Sequence, residues 1–320
     1  MPRPSRLDRR QWLTLVGATL TSLSCRRERG SIPEAARRSI PAASAEPSVV
    51  HALDEPRGGI EVIDLALDHP TFPARAVVIV PRPPPATKLP LLVALHGMGE
   101  TTDPVTGANG WLRAYELDAA LDALHHPPLD DDDFRGLVTA DQLTGLNAAL
   151  VARPYEGLIV ACPYLPKEIG GAVSFDDYAR FLGDVLLPRV RAVAPALADP
   201  RSTGIDGVSL GGVTALTIGA LRPDLFGAVG ALQPAIYGLE SVERIAADLA
   251  RSIGKRPLRL TTSEGDVYRD AIVALDQKLV ERKVAHDFSI YPGPHDYIWN
   301  KGPGALEMLL WHDQTLRRAG

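Results

Sequence analysis

Two kinds of hydrophobic pattern alternate along the chain from residue 58 onward. Short apolar or β-branched runs bounded by Gly, Pro or Asp predict strands, and the first two show the partial alternation of an antiparallel sheet edge. Eight runs have this character: GIEVIDLAL, ARAVVIVP, LPLLVALHG, GLIVACP, RSTGIDG, LFGAVGALQ, RPLRLTT and HDFSIYP. Longer segments between them, such as DDYARFLGDVLLPRVRAVA and YRDAIVALDQKLVERK, carry apolar residues at helical spacing.

This order predicts an α/β fold in which helices cover both faces of a mainly parallel central sheet. We assign residues 58–320 to this domain. The segment of about residues 100–156 follows the third predicted strand and contains only helix-like pieces, WLRAYELDAALDALHH and TADQLTGLNAALVA. We interpret it as a helical insertion, which forms either a lid or pocket wall or an additional covering layer.

The N-terminus has a different composition. Residues 1–25 contain the basic stretch MPRPSRLDRR, the apolar run QWLTLVGATLTSL and then Cys25, which is typical of an export signal peptide. DRRQWLTL resembles a bacterial twin-arginine signal, and SLSC resembles a lipoprotein cleavage box, although Ser22 stands where that box prefers leucine. An amphipathic helix packed on the domain is the alternative interpretation.

We therefore expect export across the bacterial inner membrane. The mature protein would be a periplasmic lipoprotein anchored in the membrane through a lipidated Cys25, or a secreted protein. Residues 26–57 are rich in Ala, Pro, Ser and charge without a sustained apolar period, which predicts a disordered tether between the signal and the domain.

Charge and cysteine content narrow the function classes. A net charge of −5 and a pI near 5.9 provide no basic field for a phosphate backbone, so we expect no nucleic-acid partner. Cys25 and Cys162 are the only cysteines, which excludes a disulfide framework once the first is processed, and Cys162 is predicted to be a buried thiol. The run Asp130 to Asp133 lacks the spacing and turn glycine of a calcium loop, so no metal site is expected.

The stretch DGVSLGG, residues 206–212, carries the first chemical signal. Ser209 lies between Gly207 and Gly211 where a strand pattern changes to a helix pattern, which is the context of a nucleophile elbow. A serine that only caps the helix is the alternative. Asp206, directly before the elbow, receives no role from the sequence.

A nucleophilic serine needs a base, and the base needs an acid to orient it. Because parallel strands end at one edge of the sheet, residues that directly follow different strands converge there. His295 follows the last predicted strand and is our candidate base, whereas His286 opens that strand and His312 lies in the terminal helix. Asp266 follows the preceding strand and is our candidate acid, with Glu264 as the alternative.

The anion formed on attack needs N–H donors that are already in place. Leu210, which follows the serine at the start of the helix, provides one candidate. Met98 in the loop after LLVALHG provides the second, with Gly99 as the alternative, and His96 is predicted to brace this loop.

Four aromatic residues flank these segments and are either pocket-forming or ordinary core residues, namely Trp111, Tyr115, Tyr164 and Trp299.

The motifs LHGMG, GVSLGG, SEGDVYRD and PGPHDY occur in an order that resembles α/β-hydrolases of the esterase type. The likeness is closest to esterases of the polyhydroxybutyrate-depolymerase, feruloyl and acetylxylan types. The resemblance implies a serine hydrolase without a cofactor that cleaves carboxylic esters through an acyl-enzyme, on small-molecule, polysaccharide-linked or polyester-linked substrates. A serine peptidase or amidase of the same fold, and a non-catalytic lipoprotein that binds a ligand or partner on this scaffold, are the alternatives.

Overall fold

One eight-stranded sheet organises the computed structural model, which describes residues 59–83 and 85–317. The strands are β1 Ile60–Leu67, β2 Ala74–Pro81, β3 Leu91–Leu95, β4 Ile159–Pro163, β5 Thr203–Gly207, β6 Ala228–Leu232, β7 Leu258–Gly265 and β8 Asp287–Pro294. Their order is β1-β2-β4-β3-β5-β6-β7-β8. The predicted signal peptide with Cys25 and the predicted tether lie outside the described residues.

Strand direction follows the predicted pattern. β1 pairs antiparallel with β2, and β2 pairs antiparallel with β4, whereas β3 to β8 form parallel pairs. Every residue of β3, β4, β5 and β6 is buried, whereas only Ile60 and Leu65 of β1 are. A central parallel strand is covered on both faces, which is why β3, β4 and β6 are almost uniformly apolar.

Ten α-helical segments are seen in the part of the chain that the structure describes. They are α1 Pro104–Ala108, α2 Leu117–His125, α3 Ala140–Ala152, α4 Phe175–Arg180, α5 Leu187–Val193, α6 Leu210–Leu221, α7 Gly238–Ser252, α8 Arg269–Glu281, the single turn α9 Tyr297–Trp299 and α10 Ala305–Leu316. The predicted long helix over 176–194 is interrupted by a π-helical turn, Phe181–Leu186. The turn precedes Pro188, whose missing N–H breaks the regular hydrogen-bond ladder.

Helices pack on both faces of the sheet. One buried cluster joins the sheet to α4 to α8, with Leu216, Ile245 and Leu275 as members. The other joins the opposite face to α10 and to the segment between β3 and β4, with Leu121 and Leu309 as members. The predicted α/β architecture, with a helical insertion after the third strand, is therefore confirmed.

Helix α7 was not among the predicted helices. Its buried residues Val242, Ile245, Ala246 and Leu249 have the i, i+3, i+4, i+7 spacing of an amphipathic helix, so the signal was present. The remaining positions are mostly charged or small, so the apolar pattern is difficult to recognise in the sequence.

Part of the insertion forms a covering layer on the sheet. Its residues Trp111, Leu121 and Phe134 are buried in the cluster that includes α10.

Cys162 on β4 is also buried in this cluster, and burial raises the pKa of its thiol far above the ordinary value. Among the described residues, no helix is long and apolar enough to cross a membrane.

Candidate active site

Ser209 occupies a strained turn between β5 and α6. Its φ of 57° and ψ of −114° are unusual for a residue with a side chain, and such strain persists only where the surroundings enforce it. The Ser209 N–H donates to the carbonyl of Leu232 at 3.0 Å, and the Ser209 carbonyl accepts from the N–H of Ala235 at 3.0 Å. The neighbouring strand β6 and the segment after it therefore hold the turn.

The glycines on either side of Ser209 are required by close backbone approach. A Cβ at Gly207 would lie 2.6 Å from the carbonyl carbon of Gly211, and a Cβ at Gly211 would lie 2.4 Å from the carbonyl oxygen of Leu95. No side chain fits at these distances. This packing of β3, β5 and α6 places Ser209 at the carboxyl edge of the sheet.

Ser209, His295 and Asp266 form a continuous hydrogen-bonded chain. His295 Nε2 lies 3.0 Å from Ser209 Oγ, and His295 Nδ1 lies 2.8 Å from Asp266 Oδ1. The buried Asp266 carboxylate also accepts bonds from the Thr262 hydroxyl at 2.7 Å and the Tyr268 N–H at 2.9 Å. Because the carboxylate is an acceptor, it favours a proton on Nδ1 and leaves Nε2 free to accept the serine proton.

The other residues considered for these positions lie elsewhere. Glu264 is exposed near the end of β7, and the structure brings Asp266 to His295 instead. His286 contacts Asp276 on α8, and His312 is buried within α10.

The candidate anion donors are the first residues of two helical turns. Leu210 begins α6, and Met98 begins the 3-10 turn Met98–Glu100, so neither N–H has a partner within its own turn. A Cβ at Gly97 would lie 3.7 Å from Ser209 Cβ, which shows that the loop before Met98 passes directly against the serine. A Cβ at the alternative donor Gly99 would lie 2.3 Å from the Tyr297 hydroxyl.

Glu100 connects two loops of the site. Its buried carboxylate accepts hydrogen bonds from the hydroxyls of Tyr115 and Tyr297, the latter at 2.6 Å, and the Tyr115 oxygen accepts from the Gly97 N–H at 3.0 Å. Burial and the charge of Glu100 raise the pKa of Tyr115 well above its usual range, and the hydrogen bond to Glu100 raises the pKa of Tyr297 to about 12. Sequence reasoning missed Glu100, although it directly follows the motif LHGMG.

His96 braces the same loop. Its Nδ1 lies 2.8 Å from the Gly97 carbonyl, and its Nε2 accepts the Leu165 N–H at 2.8 Å. Burial lowers the pKa of His96, so the ring is neutral with the proton on Nδ1. Both nitrogens are engaged in structural bonds, which agrees with the predicted bracing role.

Asp206 anchors the strand beneath the elbow. One of its oxygens accepts the Gly207 N–H at 2.7 Å, and the other accepts from Arg259 at 2.6 Å and from His312 at 2.9 Å. Gly230 on β6 leaves room for this carboxylate, because a Cβ there would lie 1.9 Å from an Asp206 oxygen. The role of Asp206 was not accessible from the sequence, since its partners come from β7 and α10.

Two cavities open beside Ser209, and both are also lined by Met98. The larger has a volume of about 370 Å³ and includes Leu210 and Tyr268 in its wall. The smaller has a volume of about 240 Å³ and is lined by His295 among others. An ester bound at Ser209 therefore has separate spaces for its two halves.

Of the four aromatic residues singled out from the sequence, only Tyr115 lines either cavity at Ser209. Trp111, Tyr164 and Trp299 are buried core residues.

Within residues 59–83 and 85–317, no group of three or more His, Cys, Asp or Glu side chains is arranged to hold a metal ion.

Comparisons with known proteins agree with this architecture. A family model described as "Putative esterase" matches residues 148–300, which include the elbow, Asp266 and His295. No curated protein matches the chain.

Several solved structures that are similar to this chain are named as esterases or hydrolases. A ferulic acid esterase is 17% identical, with a TM-score of 0.59 over 81% of this chain and 100% of that one. S-formylglutathione hydrolase from Staphylococcus aureus is 14% identical, with a TM-score of 0.56 over 79% and 99% of the two chains. A ferulic acid esterase from Anaeromyces mucronatus is 17% identical, with a TM-score of 0.54 over 80% and 91%.

The fold is that of the α/β-hydrolases. The resemblance to α/β-hydrolase esterases that the motifs indicated is confirmed, because the structural neighbours share the fold and the family match is to esterases.

Proposed function

We propose that this protein hydrolyses carboxylic esters with Ser209 as the nucleophile, His295 as the base and Asp266 as the acid that orients it. The observation that supports this proposal most is the unbroken chain of hydrogen bonds from Ser209 through His295 to Asp266. The chain begins on a strained elbow, beside the first N–H groups of two helical turns.

Each group has one role in the reaction. Ser209 Oγ attacks the carbonyl carbon of the ester while His295 Nε2 takes the hydroxyl proton, and Asp266 stabilises the imidazolium that forms. The N–H groups of Met98 and Leu210 hold the negative oxygen of the tetrahedral intermediate. Collapse of this intermediate expels the alcohol, which receives the proton from His295, and leaves an acyl-enzyme. Water, activated by His295, then releases the acid and restores Ser209.

The cavities indicate where each half of the ester binds. His295 must reach the leaving oxygen to protonate it, and it lines only the smaller cavity. The alcohol therefore leaves through the smaller cavity, and the acyl group occupies the larger one. Alcohols linked to a polysaccharide or a polyester extend outward from the smaller cavity.

A fluorophosphonate probe tests the nucleophile. We expect the probe to label Ser209 because only this serine has His295 as its base. Ser209→Ala abolishes labelling and ester turnover, and His295→Ala suppresses both nearly as completely. Ser241→Ala is the matched control, since Ser241 lines the larger cavity but has no base.

Folded protein that neither labels nor cleaves activated esters would contradict the proposal and leave a binding protein. Faster cleavage of aminoacyl amides than of esters would indicate a peptidase or amidase.

We also propose that residues 1–25 direct export, on the sequence pattern alone. A fusion of residues 1–30 to a reporter should leave the cytoplasm, and replacement of Arg9 and Arg10 by lysine should retain it. Loss of membrane attachment in Cys25→Ala would support lipidation. A reporter that stays in the cytoplasm with both arginines present would refute export.

A further inference from the structure

The larger cavity has one charged group in an otherwise neutral wall. Among the described residues that line it, Arg244 is the only charged side chain. Ser241 and Arg244 lie three residues apart on α7, so both face the cavity from the same side of the helix. The apolar part of the wall is formed by Ile169, Phe175 and Val213 among others.

Within the part of the chain that the structure describes, the Arg244 guanidinium has no ion pair at hydrogen-bond distance. Its nearest carboxylate contact is Nη1 to Asp248 Oδ2 at 3.9 Å, which is too long for a hydrogen bond. The other Asp248 oxygen is in closer contact with Arg251. Arg244 lines the cavity and its side chain is 52% exposed, so its donors are not enclosed by the protein.

Two tyrosines form a neutral polar section of the same wall. The hydroxyls of Tyr237 and Tyr268 lie 2.5 Å apart, and the Tyr268 ring packs edge-on against His295 with centroids 5.2 Å apart. Burial and the contact with Tyr237 raise the pKa of Tyr268 to about 12. None of the described residues that line this cavity is an aspartate or a glutamate.

We propose that the larger cavity binds an acyl group with a carboxylate at its far end, as in a half ester of a dicarboxylic acid, and that Arg244 binds this carboxylate. The apolar wall accommodates a methylene chain, and a guanidinium pairs with a carboxylate through two parallel hydrogen bonds. This inference rests on the proposed function, because it takes Ser209 as the point of attachment of the acyl group.

Matched esters test the inference. The p-nitrophenyl half ester of adipic acid and the p-nitrophenyl ester of hexanoic acid have the same chain length and differ in the terminal carboxylate. We expect kcat/KM to be about tenfold higher for the adipate ester, the preference that a charge-assisted hydrogen bond provides. Arg244→Gln should remove this preference. Arg189→Gln should retain it, because Arg189 is exposed on α5 and lines neither cavity at Ser209.

A binding measurement separates this inference from the proposed function. Calorimetry on the full chain with Ser209→Ala does not depend on turnover, and adipic acid monoamide and hexanamide differ only in the terminal carboxylate. We expect tighter binding of the adipic acid monoamide, and loss of the difference when Arg244→Gln is added. Equal binding of the two amides, or a preference for the adipic acid monoamide that survives Arg244→Gln, would overturn the inference even if Ser209 hydrolyses esters. Absence of hydrolysis and of Ser209 labelling, with the adipic acid monoamide still bound through Arg244, would refute only the esterase.

Discussion

The hydroxyl of Tyr297 donates a 2.6 Å hydrogen bond to the carboxylate of Glu100, although 197 residues separate the two in the chain. Tyr297 follows His295 by two positions, and Glu100 follows Met98 by two positions. The bond therefore connects the loop that carries the candidate base to the loop that carries a candidate anion donor. Its partner Tyr115 extends the connection to the Gly97 N–H.

Removing this connection should impair catalysis more than it impairs folding. In Tyr297→Phe the buried Glu100 loses one donor, at a cost of about 1–3 kcal/mol in the free energy of unfolding. Because the hydrogen bond between the two loops is lost, we expect kcat to fall about tenfold with little change in KM. This fall is equivalent to an increase of about 1.4 kcal/mol in the activation free energy. Steady-state kinetics and urea denaturation measure both effects.

Tyr291→Phe provides the matched control. Tyr291 donates a similar hydrogen bond to Glu307, and neither residue lines the cavities at Ser209. We expect a comparable loss of stability with kcat within about twofold of the original value. An unchanged kcat in Tyr297→Phe would show that the connection has no catalytic role.

The acid assignment is tested by single amide substitutions. Asp266→Asn presents an amide to His295 and favours the wrong tautomer, so we expect kcat to fall about ten thousandfold. Asp270→Asn should be nearly silent, because that side chain is fully exposed on α8. A severe loss in Glu264→Gln together with a mild one in Asp266→Asn would reverse the assignment.

Steric constraint at the elbow is tested with two glycines. In Gly211→Ala the new methyl group would lie 2.4 Å from the Leu95 carbonyl oxygen, so the backbone must move. We expect destabilisation of several kcal/mol or failure to fold. Gly145→Ala on α3 meets nothing within 4 Å and should stabilise the protein by about 0.5–1 kcal/mol, since alanine is the better helix former. Thermal denaturation of both variants measures this difference in stability. Equal midpoints for Gly211→Ala and Gly145→Ala would argue against a steric constraint at Gly211.

Buried neutral histidines should make the protein acid-sensitive. Burial lowers the pKa of His96 and His312 below their ordinary value of 6.5, and for His312 the charge of Arg259 adds to this while Asp206 opposes it. The unfolded chain takes up protons near pH 6.5, whereas the folded chain does so only at lower pH. The free energy of unfolding therefore falls as the pH decreases below about 6.5, by up to about 1.4 kcal/mol per pH unit for each histidine.

Urea denaturation at pH 7.5, 6.5 and 5.5 checks this dependence. His312→Gln should reduce the slope of stability against pH below 6.5. His126→Gln should leave it unchanged, because the His126 side chain is 75% exposed. Identical slopes in the original chain and in His312→Gln would exclude His312 as a source of the acid sensitivity.

Several features could be predicted from local sequence. The short, largely apolar or β-branched runs that became β3 to β6 predicted central parallel strands, because a strand covered on both faces tolerates few polar residues. Chain order and the convergence of strand ends selected Ser209, Asp266 and His295 as the candidate triad, and the structure brings these three side chains together. Export, lipidation and the tether lie outside the described residues and stay predictions.

The amphipathic pattern of α7 was present in the sequence, but the charged residues of the helix obscured it. Arg244, which lines the larger cavity, lies on this helix and was therefore missed. The roles of Glu100 and Asp206 depended on the tertiary structure. Glu100 finds Tyr115 and Tyr297, and Asp206 finds partners on β7 and α10, only after distant segments pack together. Periodicity and turn chemistry are local and can be recognised in short windows of sequence. The pairing of a buried charge is set by which helices and strand ends become neighbours, and that information resides in the packing of the whole sheet.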